Sequence, residues 1–269
     1  KIEKGVKMNG LYEDLRFVKD ILEYNLRDRT IKRKELQKFR NIHNGKRCFI
    51  VGTGPSLKLE DVEILKYEYT FGVNSCFKIF DKTTWRPTYY VVTDPKFISD
   101  MGKELDKCSK EITCGFCGDK TEWHGSNIHP ITTSQIYMNV PRRGFIKRIL
   151  EKTKYDFMTK DLSQGIINGH TVVFSAIQIA EYMGFSEIYL LGIDCNYKGK
   201  LQYSELTSHT HINNPNAADL MVIDYLYAKR HCEKTGKLHI YNATRGGMLE
   251  VFERVHLEDI IKDGRSNFV

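Results

Sequence analysis

The stretch Cys48-Phe49-Ile50-Val51-Gly52-Thr53-Gly54-Pro55-Ser56-Leu57 decides how the chain folds. Four apolar residues, Cys48 to Val51, run straight into a Gly-x-Gly-Pro-Ser turn, the pattern of a buried strand ending in a tight loop. Gly52 and Gly54 carry no Cβ, so the main chain there can approach another group closely. Pro55 stiffens the corner, and Ser56 offers a hydroxyl or a helix cap. In α/β proteins this is where the first strand presents a phosphate-binding loop, and Gly52, Thr53, Gly54, Pro55 and Ser56 are its candidate contacts. Leu57 stands where a Gly-x-Gly-x-x-Gly fingerprint has its third glycine, and no Gly-Lys-Ser/Thr follows, so neither common nucleotide fingerprint is complete. A strand-to-helix turn without a ligand is the plainer alternative.

Two further strands strengthen the pattern. Leu59 to Leu65 reads as a short helix, Tyr69 to Asn74 as a second strand and Pro87 to Thr93 as a third. Their ends carry Asn74-Ser75 and Thr93-Asp94. In an open parallel sheet such ends converge on one crevice, where ligands bind. Residues 100–140 carry less periodicity, with strands expected at Ile112 to Phe116 and Asn127 to Ile131. Arg142 and Arg143 mark a basic turn before a helix that starts at Phe145. Asn168-Gly169-His170-Thr171 precedes a helix from Val172 to Met183, so His170 and Thr171 sit where helix amides and the dipole favour an anion. Ser186 to Asp194 is another buried strand, with Gly192 and Asp194 at its end. A polar segment, 198–217, has the length of a lid or an acceptor-binding loop. A helix from Asp219 to Thr235 and a strand from Lys237 to Asn242 follow, and Val255 to Ile261 closes the fold. The expected class is α/β: a Rossmann-like, doubly wound, mostly parallel sheet with an N-terminal helical arm.

Composition sets the surroundings. The 269 residues, 41% hydrophobic and 28% charged, suit a soluble globular chain with a substantial core. No apolar run reaches the length that spans a bilayer, and no secretory leader is read at the start. The net charge of +7 arises in residues 1–47, which hold 14 Lys/Arg against 7 Asp/Glu, while the remainder is balanced. Leu11, Leu15, Val18, Ile21, Leu22 and Leu26 give residues 11–40 helical spacing. The division expected is therefore a basic helical arm, 1–45, and a catalytic domain, 46–269. A basic arm on a neutral body suits an anionic membrane surface, a partner or a second copy of the chain better than nucleic acid. Seven cysteines, an odd number in apolar stretches, fit a reducing cytoplasm. Cys114 and Cys117, with Cys108, His124 and His129 nearby, lack a second paired set at zinc-finger spacing, so no metal site is expected.

Taken together, these blocks resemble a superfamily whose opening motif is hydrophobic-Gly-Asn-Gly-Pro-Ser-Leu. Its branches are the family 42 bacterial sialyltransferases, the motility accessory factor glycosyltransferases and the 6-hydroxymethylpterin diphosphokinase-like proteins. The likeness runs through Asn74, Asp94, the helix after Thr171, the strand Glu187 to Asp194 and the turn from Asn242 to Gly247. The transferase branch implies a CMP-linked, sialic-acid-like donor, no required cofactor and inversion at the sugar. It implies that the glycine turn and Asn74 hold the nucleotide, that Tyr197 and Tyr203 offset charge on the departing phosphate, and that His209 or His211 is the general base. The acceptor would be a glycan or lipid-linked glycan, met in the cytoplasm or at the inner face of the membrane, as in bacterial surface-polysaccharide assembly. Thr53 stands where the motif has Asn, and His170-Thr171-Val172 replaces the Ser-Gly of the sialyltransferases. The diphosphokinase branch implies pyrophosphate transfer from ATP with Mg²⁺ held by Asp94 and Asp194. A third alternative is a non-catalytic nucleotide-binding or scaffolding module.

Overall fold

The computed structural model describes residues 11–19, 21–22, 34–134, 145–153, 156–159, 161–196 and 217–262. Its frame is one parallel sheet of eight strands: β1 Arg47–Val51, β2 Thr70–Val73, β3 Tyr89–Val92, β4 Gly115–Gly118, β5 Ile128–Ile131, β8 Glu187–Leu191, β9 His239–Asn242 and β10 Glu253–Arg254. Two short strands, β6 Thr133–Ser134 and β7 Ile166–Ile167, pair separately. The order across the large sheet is β10-β9-β8-β1-β2-β3-β4-β5, so the winding reverses between β1 and β8. Doubly wound proteins bind their ligands at such a reversal, beyond the carboxyl ends of the two strands, here β1 and β8.

Buried strands explain why these residues form a sheet with helices on both faces. β1 alternates Cys48 and Ile50 toward one core, and Phe49 and Val51 toward the other. The first core is closed by α5 (Val172–Tyr182) and α6 (Ala217–Thr235). The second is closed by α2 (Leu59–Glu63), α3 (Pro95–Cys108) and α7 (Leu257–Lys262). α5 is buried nearly all round, as its small and aliphatic sequence demands.

Two differences from the sequence-based expectation have physical causes. α3 covers residues for which no element was read: only Phe97, Met101 and Leu105 are buried along its 14 residues, so its apolar stripe is one residue wide. The strand expected at Ile112 lies instead at Gly115–Gly118, because Ser109–Glu111 forms a 3-10 turn that displaces it. Residues 11–19 and 21–22 are helical (α1), and Lys34–Phe39 is a 3-10 turn.

The division at residue 45 does not coincide with a break in packing. Leu36 and Phe39 belong to the main core, and Phe39 lies edge-on to Phe116. Asn41, His43 and Gly45 donate backbone hydrogen bonds to Tyr182, Met183 and Gly184, at 3.1, 2.8 and 2.9 Å. α1 docks through Phe17, which joins Leu150 of α4 (Phe145–Thr153), Phe157 and Ile167 in a separate cluster. Among the described residues, no helix is long and apolar enough to cross a membrane.

Candidate functional site

The glycine turn that follows β1 is held against the end of β8. Gly52 donates its amide to Leu191 O and Gly54 to Gly192 O, each at 2.8 Å. Asp194 Oδ2 accepts from the Ser56 amide at 3.2 Å and from its hydroxyl at 2.8 Å. A Cβ on Gly54 would meet the Asp194 carboxylate and sit 2.7 Å from the Gly192 carbonyl. The need for glycine there arises from two loops in contact, and the amides of Gly52, Gly54 and Ser56 are donated within the protein. Burial pushes the Asp194 carboxyl up, against the pull of Ser56 and Arg254.

The end of β9 joins the same assembly. Ile193 donates its amide to Thr244 Oγ1 at 3.0 Å, and Met248 donates to Asp194 O at 2.6 Å. Arg254 donates to the carbonyls of Thr244, Gly246, Gly247 and Leu249, which shapes the turn. β1, β8 and β9 therefore end in one hydrogen-bonded rim.

The start of α5 carries the sharpest departure from expectation. The amides of His170 and Thr171, read as an anion site, both donate to Asp224 Oδ2 at 2.6 and 3.1 Å, and the His170 ring Nδ1 meets Asp224 Oδ1 at 2.9 Å. Thr171 itself caps the helix through its hydroxyl, which accepts from Val173 N at 3.3 Å. Asp224, fully buried on α6, thus occupies the anion position with the protein's own carboxylate. Its neighbourhood extends to the end of β8: burial and then the Asp194 and Asp224 carboxylates push the Cys195 thiol up to about 12. Asp224 was missed in the sequence. A signal exists, because Met221, Asp224, Tyr225 and Ala228 share the buried face of α6 at helical spacing.

Asn74 behaves differently. The register of Val51 opposite Gly72 carries it to the level of the glycine turn, one strand away. Its backbone is left-handed, with φ of 46°, a conformation that Asn tolerates better than most residues. Buried Tyr90 holds it there: the phenol donates to Asn74 O and accepts from Phe77 N at 2.9 Å. The side-chain Oδ1 is buried and has no hydrogen-bond partner. Such an atom calls for an explanation, and a ligand donor is one. Ser75 beside it is fully buried.

Asp94, at the end of β3, is exposed and serves as the N-cap of α3, accepting from Lys96 N at 2.9 Å. Tyr197, Tyr203, His209 and His211 lie outside the described residues, as do Arg142 and Arg143. The structure brings together Gly52, Gly54, Ser56, Gly192 and Asp194 by direct hydrogen bonds or contact, sets Asn74 level with them, and joins His170 and Thr171 through Asp224. Among the described residues no cluster of three or more His, Cys, Asp or Glu side chains is arranged to hold a metal ion.

A glycine turn and polar strand ends gathered where the winding reverses place the chain in the doubly wound α/β class. Residues 24–200 match the family described as 6-hydroxymethylpterin diphosphokinase MptE-like, and the chain belongs to it. No curated protein matches. Among solved structures, the MAf glycosyltransferase from Magnetospirillum magneticum AMB-1 superposes with a TM-score of 0.50 at 13% identity, over 90% of this chain. This chain spans 40% of the length of that protein. A variant of the sialyltransferase CST-II in complex with CMP gives 0.46 at 18% identity, covering 78% of this chain and 86% of its own. The sialyltransferase CstII from Campylobacter jejuni with a substrate analogue gives 0.39 at 15%, covering 77% and 84%. At these identities the likeness is one of fold alone.

Proposed function

We propose that this protein is a glycosyltransferase drawing on a nucleotide-sugar donor, most simply a CMP-linked, sialic-acid-like sugar, for glycan assembly. The observation that carries the proposal is the amide of Asn74. A buried polar atom without a partner stands at the strand end beside the glycine turn, while Asp194 and Asp224 are both engaged by protein donors. An uncharged amide suits the ribose or phosphate of a nucleotide, and carboxylates already hydrogen-bonded within the protein suit a transfer that does not depend on them to hold a metal. Gly52, Thr53, Gly54, Pro55, Ser56, Asn74 and Ser75 form the donor side. His170, Thr171, Gly192 and Asp194 form the rim, with Asp94 at its edge.

In this reading the departing CMP phosphate is stabilised by Tyr197 and Tyr203, and His209 or His211 removes the acceptor proton as the hydroxyl attacks. The segment that holds them leaves the sheet after Asn196 at the end of β8. It rejoins the described chain at Ala217, the start of α6. A parallel strand follows α6, so both points lie on the carboxyl edge of the sheet.

The family description favours a second reading, pyrophosphate transfer from ATP to a pterin alcohol, with Asp94 and Asp194 as the Mg²⁺ ligands. Calorimetry and thermal shift with CMP, CDP, UDP, GDP and ATP, each with and without Mg²⁺, separate the two. Metal-independent CMP binding supports the glycosyltransferase. ATP binding that requires Mg²⁺ replaces it with the diphosphokinase, and no nucleotide binding at all leaves a non-catalytic module.

A further inference from the structure

α1 is anchored on one face and bare on the other. Phe17 is buried and Ile21 packs beside it, whereas Leu11, Leu15, Val18 and Leu22 are 61%, 61%, 39% and 57% exposed. Successive steps of four, three and four residues place those four on one line of the helix, the seam of a heptad repeat. Next to it, α4 begins with its first amide, that of Phe145, donating to Asp14 Oδ2 at 3.3 Å, and adds Phe145 and Ile149 at 70% and 38% exposure. Monomeric proteins rarely leave a continuous apolar ridge of this kind uncovered.

We propose that this ridge is the interface with a second copy of the same chain, paired about a two-fold axis. The spacing carries the choice of occupant. Because four-three-four reads the same in both directions, an axis passing between Leu15 and Val18 sets Leu11 against Leu22 of the partner subunit and Leu15 against Val18 of the partner subunit. An isologous contact requires this self-complementarity. Charge points the same way. Among the described residues of α1, Glu13 and Asp14 balance Arg16 and Lys19, so the helix bearing the ridge has no positive excess to draw it to an anionic lipid surface. A helix of three turns is marginal as a free coiled coil, but Phe17 already docks this one and pre-orders it for pairing.

Sedimentation velocity on the full chain, over micromolar to tens of micromolar, tests the proposal. A reversible two-chain particle is expected, and Leu15→Glu with Val18→Glu raises its dissociation constant at least about tenfold. The unfolding midpoint extrapolated to the monomer stays unchanged, since both side chains are solvent-facing in the single chain. Leu11→Ser with Leu22→Ser gives a smaller shift in the same direction and guards against a folding defect in the first pair. A wild-type chain that stays monomeric overturns the proposal, as does a dimer indifferent to both pairs of substitutions. Flotation with phosphatidylserine-containing vesicles, if it captures a monomer and is lost in the same variants, replaces the second copy with a membrane.

Discussion

The start of α5 and the end of β2 are built in opposite ways. At the start of α5 every donor identified from sequence has a partner inside the protein: two amides and the His170 ring are gathered by one buried carboxylate, Asp224. At the end of β2 a left-handed Asn74 is fixed by Tyr90, and its amide oxygen is left without a partner. A helix N-terminus is an anion site only while its amides are unclaimed, and here another helix has claimed them. Of these two ends, that of β2 is the one that leaves a ligand a buried polar atom to bind.

The comparison breaks most visibly at Asp224. Asp224→Ala removes the acceptor of two half-buried amides and the partner of the His170 ring, and is expected to cost about 3 kcal/mol in chemical unfolding. A loss below about 1 kcal/mol would show that water replaces the carboxylate and that the α5 end is open after all. Gly54→Ala comes next. Its new methyl meets the Asp194 carboxylate and the Gly192 carbonyl, so the β1 and β8 loops must separate, at about 2 kcal/mol by thermal or urea unfolding. An unchanged midpoint would mean that the rim is loosely held.

The self-satisfied half also predicts a pH dependence. His231, on the buried side of α6, donates to Asp156 at 2.8 Å and to Glu181 at 2.5 Å. Burial works against the charged ring, but the two carboxylates outweigh it and raise its pKa to about 9. The folded value lies above the unfolded one, so the contribution is complete below about pH 6.5 and is lost as pH rises through 9. A melting temperature that falls across this window, by an equivalent of about 1–2 kcal/mol, is expected. His231→Gln should flatten the slope, and a slope that survives the substitution would assign it elsewhere.

Asn74→Ala has the smallest effect on stability and sharpens the contrast. Removing an amide oxygen that is buried without a partner offsets the strain of a left-handed alanine, so unfolding shifts by less than about 1 kcal/mol. Nucleotide affinity, measured by calorimetry, should fall at least about tenfold. Lost stability with intact binding would make Asn74 an architectural residue only.

Much of the frame is legible along the chain. The apolar runs at Cys48 to Val51, Tyr69 to Asn74, Pro87 to Thr93 and Ser186 to Asp194 are strands because each is buried on both faces, which removes any need for alternation. α3 escapes notice because a stripe of Phe97, Met101 and Leu105 is diluted by eleven exposed or half-exposed neighbours. Asp94 precedes Pro95, and that pair is its one local mark.

The class of fold and the polar strand ends could be read along the chain, because local apolar runs and turn residues constrain the backbone wherever they occur, whereas the reversal between β1 and β8 came from the strand order. Tertiary structure alone decided which polar groups remain available. Ser56 and Asp194 are 138 residues apart, and His170 and Asp224 are 54 apart. Hydrogen-bond satisfaction is a property of atoms brought within 3 Å of one another, and no spacing along the chain encodes it.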